Sequence, residues 1–172
     1  MKKFLLSLFL VFTVSCSSAP QVKSQDYAQL KKGRTFEASF PMVWKAIEET
    51  IRKYGVNERD PKSVDENELK KIDERMIRSK EVFSQSRDKY VTYQVNGFPR
   101  KKYLQTRQVY EVVAKKVIGG VQVELRLNEE IQLLDEKGNP LGWESAENSD
   151  SSRAQDFLNE VEMNLQRRGY SQ

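Results

Sequence analysis

The stretch YLQTRQVYEVVAKKVIGGVQVELRL, residues 103–127, decides the fold. In its second half Val121, Val123, Leu125 and Leu127 take one parity, and Gln122, Glu124 and Arg126 take the other. That period of two is the signature of a half-buried strand. The first half is rich in β-branched and aromatic residues, with Tyr110, Val112 and Ala114 on one side. Gly119 and Gly120 separate the two halves as a turn, and strands joined so tightly run antiparallel. The stretch therefore predicts the centre of an antiparallel sheet.

Working outward, Val91, Tyr93 and Val95 alternate ahead of Asn96-Gly97, a favoured two-residue hairpin turn. On the other side, Glu130 to Leu134 continues or restarts a strand. Gly138-Asn139-Pro140 makes a turn, and Trp143 sits on a short segment after it. Further upstream, Phe36, Ala38 and Phe40 alternate with polar residues, which predicts a strand over 34–40. Ser39 and Pro41 then open a helix, because Pro in the first turn removes an N–H that has no partner there anyway. Val43, Trp44, Ile47, Ile51 and Tyr54 follow at helical spacing, and Gly55 ends the element. Near the end of the chain, Asn148, Ser149 or Asp150 can cap a second helix. Its apolar residues are Ala154, Phe157, Leu158, Val161 and Leu165, its last turn carries Arg167 and Arg168, and Gly169 stops it. Residues 57–68 read as irregular with a turn at Asp60-Pro61. The pattern over 69–83 allows either a polar helix or two short strands bending near Glu74-Arg75, and the strands are preferred. The expected class is α+β: an antiparallel sheet with an N-terminal and a C-terminal helix packed on one face, since each helix has a single apolar stripe.

The first residues carry a different message. Met1-Lys2-Lys3 precedes an eleven-residue, largely apolar run, Phe4 to Val14, and then Ser15 and Cys16. Basic, apolar and small residues in that order read as an export signal. The run is too short to span a bilayer core of about 30 Å. Thr13-Val14-Ser15-Cys16 resembles a bacterial lipobox. The resemblance implies cleavage before Cys16, a diacylglycerol thioether on its sulfur and an acyl chain on its new amino group. The alternative is an ordinary exported protein with one stray cysteine. Ser17 after the cysteine resembles the pattern of outer-membrane lipoproteins. The expected organisation is a signal peptide at 1–15, a lipid-anchored flexible tether at 16–33 and one domain at 34–172, long enough to bury a core.

Composition narrows the chemistry. The 172 residues contain no histidine and one cysteine. The commonest general base and the commonest transition-metal ligand are thus missing, and with Cys16 acylated so are thiol nucleophiles, disulfides and zinc clusters. Removing residues 1–15 would take away Lys2 and Lys3 and no acid, lowering the formal charge from +4 to +2. Adjacent carboxylates occur at Asp73-Glu74, Glu129-Glu130 and Asp135-Glu136, but neighbours on a strand point to opposite faces and do not converge on one substrate. No phosphate-binding glycine loop is present, and the Gly-Trp-Glu-Ser run at 142–145 lacks the nucleophile-elbow pattern. The expectation is no enzyme, no cofactor and no metal.

Basic residues cluster at Arg100-Lys101-Lys102, flanked by Tyr93, Phe98 and Tyr103, while Glu144, Glu147, Asp150, Asp156, Glu160 and Glu162 make the end of the chain largely negative. Aromatic and basic interleaving is also a nucleic-acid signal; for an exported protein no nucleic-acid partner is expected. The candidate contact for lipid head groups or an acidic partner is therefore Phe98, Arg100, Lys101, Lys102 and Tyr103. The alternative for these residues is a solvated hairpin tip. Trp44 and Trp143 are candidates for lining a groove between helix and sheet, with a core role for Trp44 as the simpler reading.

The run FEASFPMVWKAI at 36–47, the hairpin at Gly119-Gly120 and the closing amphipathic helix together resemble a helix-grip domain of BamC-type outer-membrane lipoproteins, over roughly residues 34–167. The resemblance implies a place near the β-barrel assembly machinery. This chain has room for one such domain. The resulting expectation is a lipid-anchored, periplasm-facing outer-membrane lipoprotein that binds or scaffolds another envelope protein, as an accessory of barrel assembly. The alternative is a carrier holding a small apolar or lipid-like molecule in a helix–sheet groove.

Overall fold

A computed structural model describes residues 20–25, 29–56 and 66–169. Cys16, the signal segment and the expected Asp60-Pro61 turn lie outside those residues. The elements in chain order are β1 (Lys23–Ser24), β2 (Gly33–Phe36), α1 (Phe40–Ile51), a 3-10 turn (Arg52–Tyr54), α2 (Glu66–Leu69), β3 (Glu74–Arg78), β4 (Val82–Val95), β5 (Phe98–Val117), β6 (Gly120–Leu134), β7 (Pro140–Ser145) and α3 (Ser151–Arg167). The class is α+β, with a curled antiparallel sheet that takes about half of the described residues.

The sheet is built on the long β5–β6 hairpin predicted from residues 103–127. Strands run in the order β1-β4-β5-β6-β2, with β3 also on β5 and β7 also on β6. Each central strand thus has two flanking strands in succession: β3 and β4 along β5, β2 and β7 along β6. Tyr110, Val112 and Ala114 of β5 and Val121, Val123, Leu125 and Leu127 of β6 are all buried, as their alternation required. They share one cluster with Phe36, Val43, Trp44, Ile47 and Ile51 at the N-terminal end, and with Ala154, Phe157, Leu158, Val161 and Leu165 of α3. α1 meets α3 directly, and Asn164 Nδ2 donates to Thr50 Oγ1 at 3.0 Å inside that contact. Full burial of such side chains stabilises by roughly 1.5–3 kcal/mol each, which is how this fold stands without a disulfide.

Three boundaries differ from the sequence reading. The first long strand stops at Phe36, and Phe40 begins α1, because Pro41 fixes a helical φ and draws its neighbour into the first turn. Over 69–83 the strands are present, but the break falls at Ser79–Glu81 and not near Glu74-Arg75. There Ser79 N donates to Tyr110 O, and Ser79 Oγ accepts from Tyr110 N, which pins the corner to β5. Part of the segment read as a flexible tether is docked: Lys23 and Ser24 pair with Tyr90 and Lys89, and Leu30 N donates to Ser151 Oγ at 3.0 Å. The backbone groups of a polar segment pair with an open sheet edge as readily as those of an apolar one, so composition alone did not mark this docking.

Candidate functional site

The β4–β5 hairpin outruns its neighbours. β6 is paired with β5 only as far as Ile131 opposite Thr106, whereas β4 and β5 stay paired to Val95 opposite Phe98. Asn96 (φ 51°) and Gly97 (φ 80°) both take the left-handed region that a two-residue hairpin turn demands. Residues 92–102 are all exposed and form a two-stranded ribbon, about 13 Å from Thr92 to the turn at 3.3 Å per residue.

A β-bulge decides which way the ribbon faces. Gln85 stands opposite Gln105 and Tyr90 opposite Tyr103, so five steps on β4 match two on β5. Three extra residues invert the alternation. Before the bulge the inward residue of β4 is Ser84, bonded to Thr106; after it the inward residues are Lys89 and Val91. The inner face therefore runs on from buried Val91 and Leu104 to Tyr93, Val95, Phe98, Arg100 and Lys102 on the ribbon. Phe98 is 68 % exposed and Tyr93 48 %.

The five residues singled out in the sequence are thus divided between two faces. Phe98, Arg100 and Lys102 share the inner face with Tyr93 and Val95. Lys101 and Tyr103 lie on the other, where Lys101 Nζ sits 4.3 Å above the Tyr90 ring, and Tyr103 OH donates to Gln25 Oε1 at 3.2 Å. Tyr90 and Tyr103 touch ring to ring at 5.8 Å. None of Arg100, Lys101 and Lys102 makes an ion pair among the described residues, and the sequence from Lys89 to Tyr110 contains no acid at all.

At the foot of the ribbon lies a buried polar cluster that the sequence reading missed. Lys89 Nζ is 2.8 Å from Asp88 Oδ2 and 3.5 Å from Glu129 Oε2, and the Lys89 side chain is 7 % exposed and that of Glu129 1 %. Glu129 also accepts from Gln108 Nε2 at 3.0 Å and from Asp150 N at 3.1 Å. Asp150 caps α3 by accepting from Ser152 N at 2.9 Å, and Arg153 Nε stands 3.5 Å from its other oxygen. The available signal was parity: Glu129 continues the inward series Val121, Val123, Leu125, Leu127, so a charge on that parity needed a buried partner.

The carboxylate pairs behave as their spacing required. Glu129 is buried, and Glu130 turns the other way onto Arg107. Asp73 and Glu74 meet Lys116 and Lys115. Asp135 holds the β6–β7 turn, and hydrogen bonds from the Asn139 side chain and backbone keep its pKa below the ordinary carboxylate range. Burial pushes the Tyr110 and Tyr54 phenols above their usual pKa. The two tryptophans line no common groove. Trp44 is 1 % exposed and stacked by Arg75, while Trp143 lies edge-on to Phe83 under Arg107. A cleft of about 450 Å³ beside Arg107 is lined by both signs of charge, among them Lys32, Arg78, Glu81 and Glu147. Among the described residues no group of acidic or cysteine side chains is arranged to hold a metal ion.

The chain matches no protein-family model, and no curated protein is similar to it.

Proposed function

We propose that the chain is a lipid-anchored envelope lipoprotein whose domain, a helix-grip-like sheet with both helices packed on its inner face, serves as a binding or scaffolding module at the outer membrane. The lipobox-like run ending at Cys16 and the BamC-like pattern of residues 36–47 support the address and the link to barrel assembly. The observation that carries the reading is the ribbon of residues 92–102: an exposed aromatic and basic surface, free of acids, held out beyond the rest of the sheet. Surfaces of this kind work by contact and need no catalytic group.

The test has two arms. Growth with a clickable fatty acid should label the protein, and Cys16→Ala should remove the label. Purification in mild detergent from the native envelope, followed by mass spectrometry, should recover barrel-assembly proteins with the chain. An unlabelled protein that brings down no envelope component overturns the reading. A lipid-like molecule carried by the purified protein would favour the carrier instead.

A further inference from the structure

The ribbon is ordered along its length as well as across its faces. On the inner face the rows from the tip are Val95 with Phe98, then Tyr93 with Arg100, then Val91 with Lys102. Rows two residues apart are about 7 Å apart, so the rows that carry Arg100 and Lys102 lie about 7 and 13 Å behind the apolar tip, with Lys102 Nζ beside Gly138 of the β6–β7 turn. Lys101, on the opposite face, adds a third cation, which leans back over the Tyr90 ring at the foot of the ribbon. An anionic membrane surface has the matching layers: an acyl boundary that accepts apolar side chains to a depth of about 5–10 Å, and phosphates just outside it. A groove on an acidic protein would ask for complementary charge but not for this layering.

The N-terminal segment gives a second, independent argument. β1 pairs antiparallel with β4, Lys23 opposite Tyr90 and Ser24 opposite Lys89. Because β4 runs towards the tip, the chain preceding Lys23 comes from the tip side, and Val22 packs on the cluster of Val91, Leu104 and Ile131. The seven residue steps from Cys16 to Lys23 span at most about 25 Å. The tip is about 17 Å beyond Tyr90 along β4, so a lipid on Cys16 and the tip can lie at one level.

We propose that the ribbon is a second membrane contact. Val95 and Phe98 seat among the head groups of an anionic bilayer, and Arg100, Lys101 and Lys102 lie at its phosphates. Among the described residues the outer edges of the ribbon have no strand partner, so it stops in the hydrated head-group layer and does not cross into hydrocarbon. The proposal rests on the reading that the domain is held at a membrane, and it names what the ribbon touches there.

The full chain carrying Cys16→Ala gives a background for a single thiol probe. Phe98→Cys and, as a control, Ile118→Cys at the far turn of β5–β6 are each labelled with a polarity-sensitive fluorophore. Vesicles of phosphatidylcholine with about one-third phosphatidylglycerol should shift the probe at 98 to the blue and leave that at 118 unchanged, and pure phosphatidylcholine should shift neither. Changing Arg100, Lys101 and Lys102 together to Gln should weaken the response about a hundredfold, at about fivefold per cation, and added salt should do likewise. Equal shifts at 98 and 118, a shift indifferent to lipid charge, or no shift at all would overturn the proposal. Loss of a co-purifying envelope protein on the Gln changes, with no vesicle response, would assign the ribbon to a protein instead. The fatty-acid label on Cys16 is read separately, so failure of the ribbon contact and failure of the lipoprotein reading remain distinct.

Discussion

Replacing Lys89 by Met removes the one cation that stands between Asp88 and Glu129. At the observed 2.8 and 3.5 Å, and with an effective dielectric of about 20, the two attractions are worth about 6 and 5 kcal/mol before desolvation is set against them. Desolvation of each ion costs several kcal/mol, so the intact cluster contributes little net stability. The substitution leaves that cost in place and removes the attraction. The expected loss is about 3–5 kcal/mol, which for a domain of this size lowers Tm by about 6–20 °C. Adding Glu129→Gln to Lys89→Met removes the more deeply buried orphan charge, while the single Gln oxygen keeps an acceptor for one of the two donors, Gln108 Nε2 or Asp150 N. The double variant should recover at least half of the loss. Urea unfolding of the wild type, both single variants and the double variant closes the cycle. If Lys89→Met costs less than about 1 kcal/mol, or if Glu129→Gln deepens the defect, the cluster is hydrated and the argument fails. Should Lys89→Met not accumulate as folded protein, recovery of folding in the double variant remains the expected result.

Two further perturbations probe the core and the sheet edge. Tyr54 and Tyr110 hold their protons above the ordinary phenol value of 10.0 because burial penalises the phenolate; the unfolded chain therefore ionises first, and stability should fall as pH rises through about 10 and beyond. Tyr110→Phe should flatten that alkaline slope in urea unfolding series, and an unchanged slope would refute the assignment. Gly120→Ala would place a Cβ 2.1 Å from the Phe36 carbonyl oxygen; the β2–β6 edge has to move, at an expected cost of about 1–3 kcal/mol, with faster amide exchange over Gly33–Phe36. Wild-type stability and exchange in that variant would show the contact to be looser than drawn.

The central hairpin, both long helices and the Asn96-Gly97 turn were legible because each rests on local physics: a period of two or of 3.6, a proline at a helix start, a turn that needs positive φ. The candidate ribbon residues were legible as a composition, aromatic beside basic, but not as a surface. Sequence adjacency grouped Lys101 and Tyr103 with Phe98 and Arg100, and strand geometry separates them. Tyr93, thirteen residues before Thr106, joins the inner face only because the bulge reverses the parity of β4. Nothing in the run Ser86-Arg87-Asp88-Lys89 announces a bulge; the reversal comes from the demand that Val82 and Val91 both face inward on one strand. The buried cluster was hidden for a related reason. Asp88, Glu129 and Asp150 are far apart in sequence, and only their convergence on Lys89 and the start of α3 makes burial tolerable.

The three-residue bulge also divides the labour of the hairpin between two segments that can change independently. Beyond Val91, matched pairs inserted or lost two at a time on β4 and β5 alter only how far the ribbon reaches, because each pair carries its own hydrogen bonds, none enters the core, and an even step keeps every side chain on its face. Within 86–89, a single residue gained or lost turns the ribbon inside out, sending Tyr93 and Val95 to the side now held by Tyr90 and Thr92. Reach can therefore drift freely among relatives of this chain, whereas the length of that four-residue stretch is fixed by the direction in which the ribbon must look.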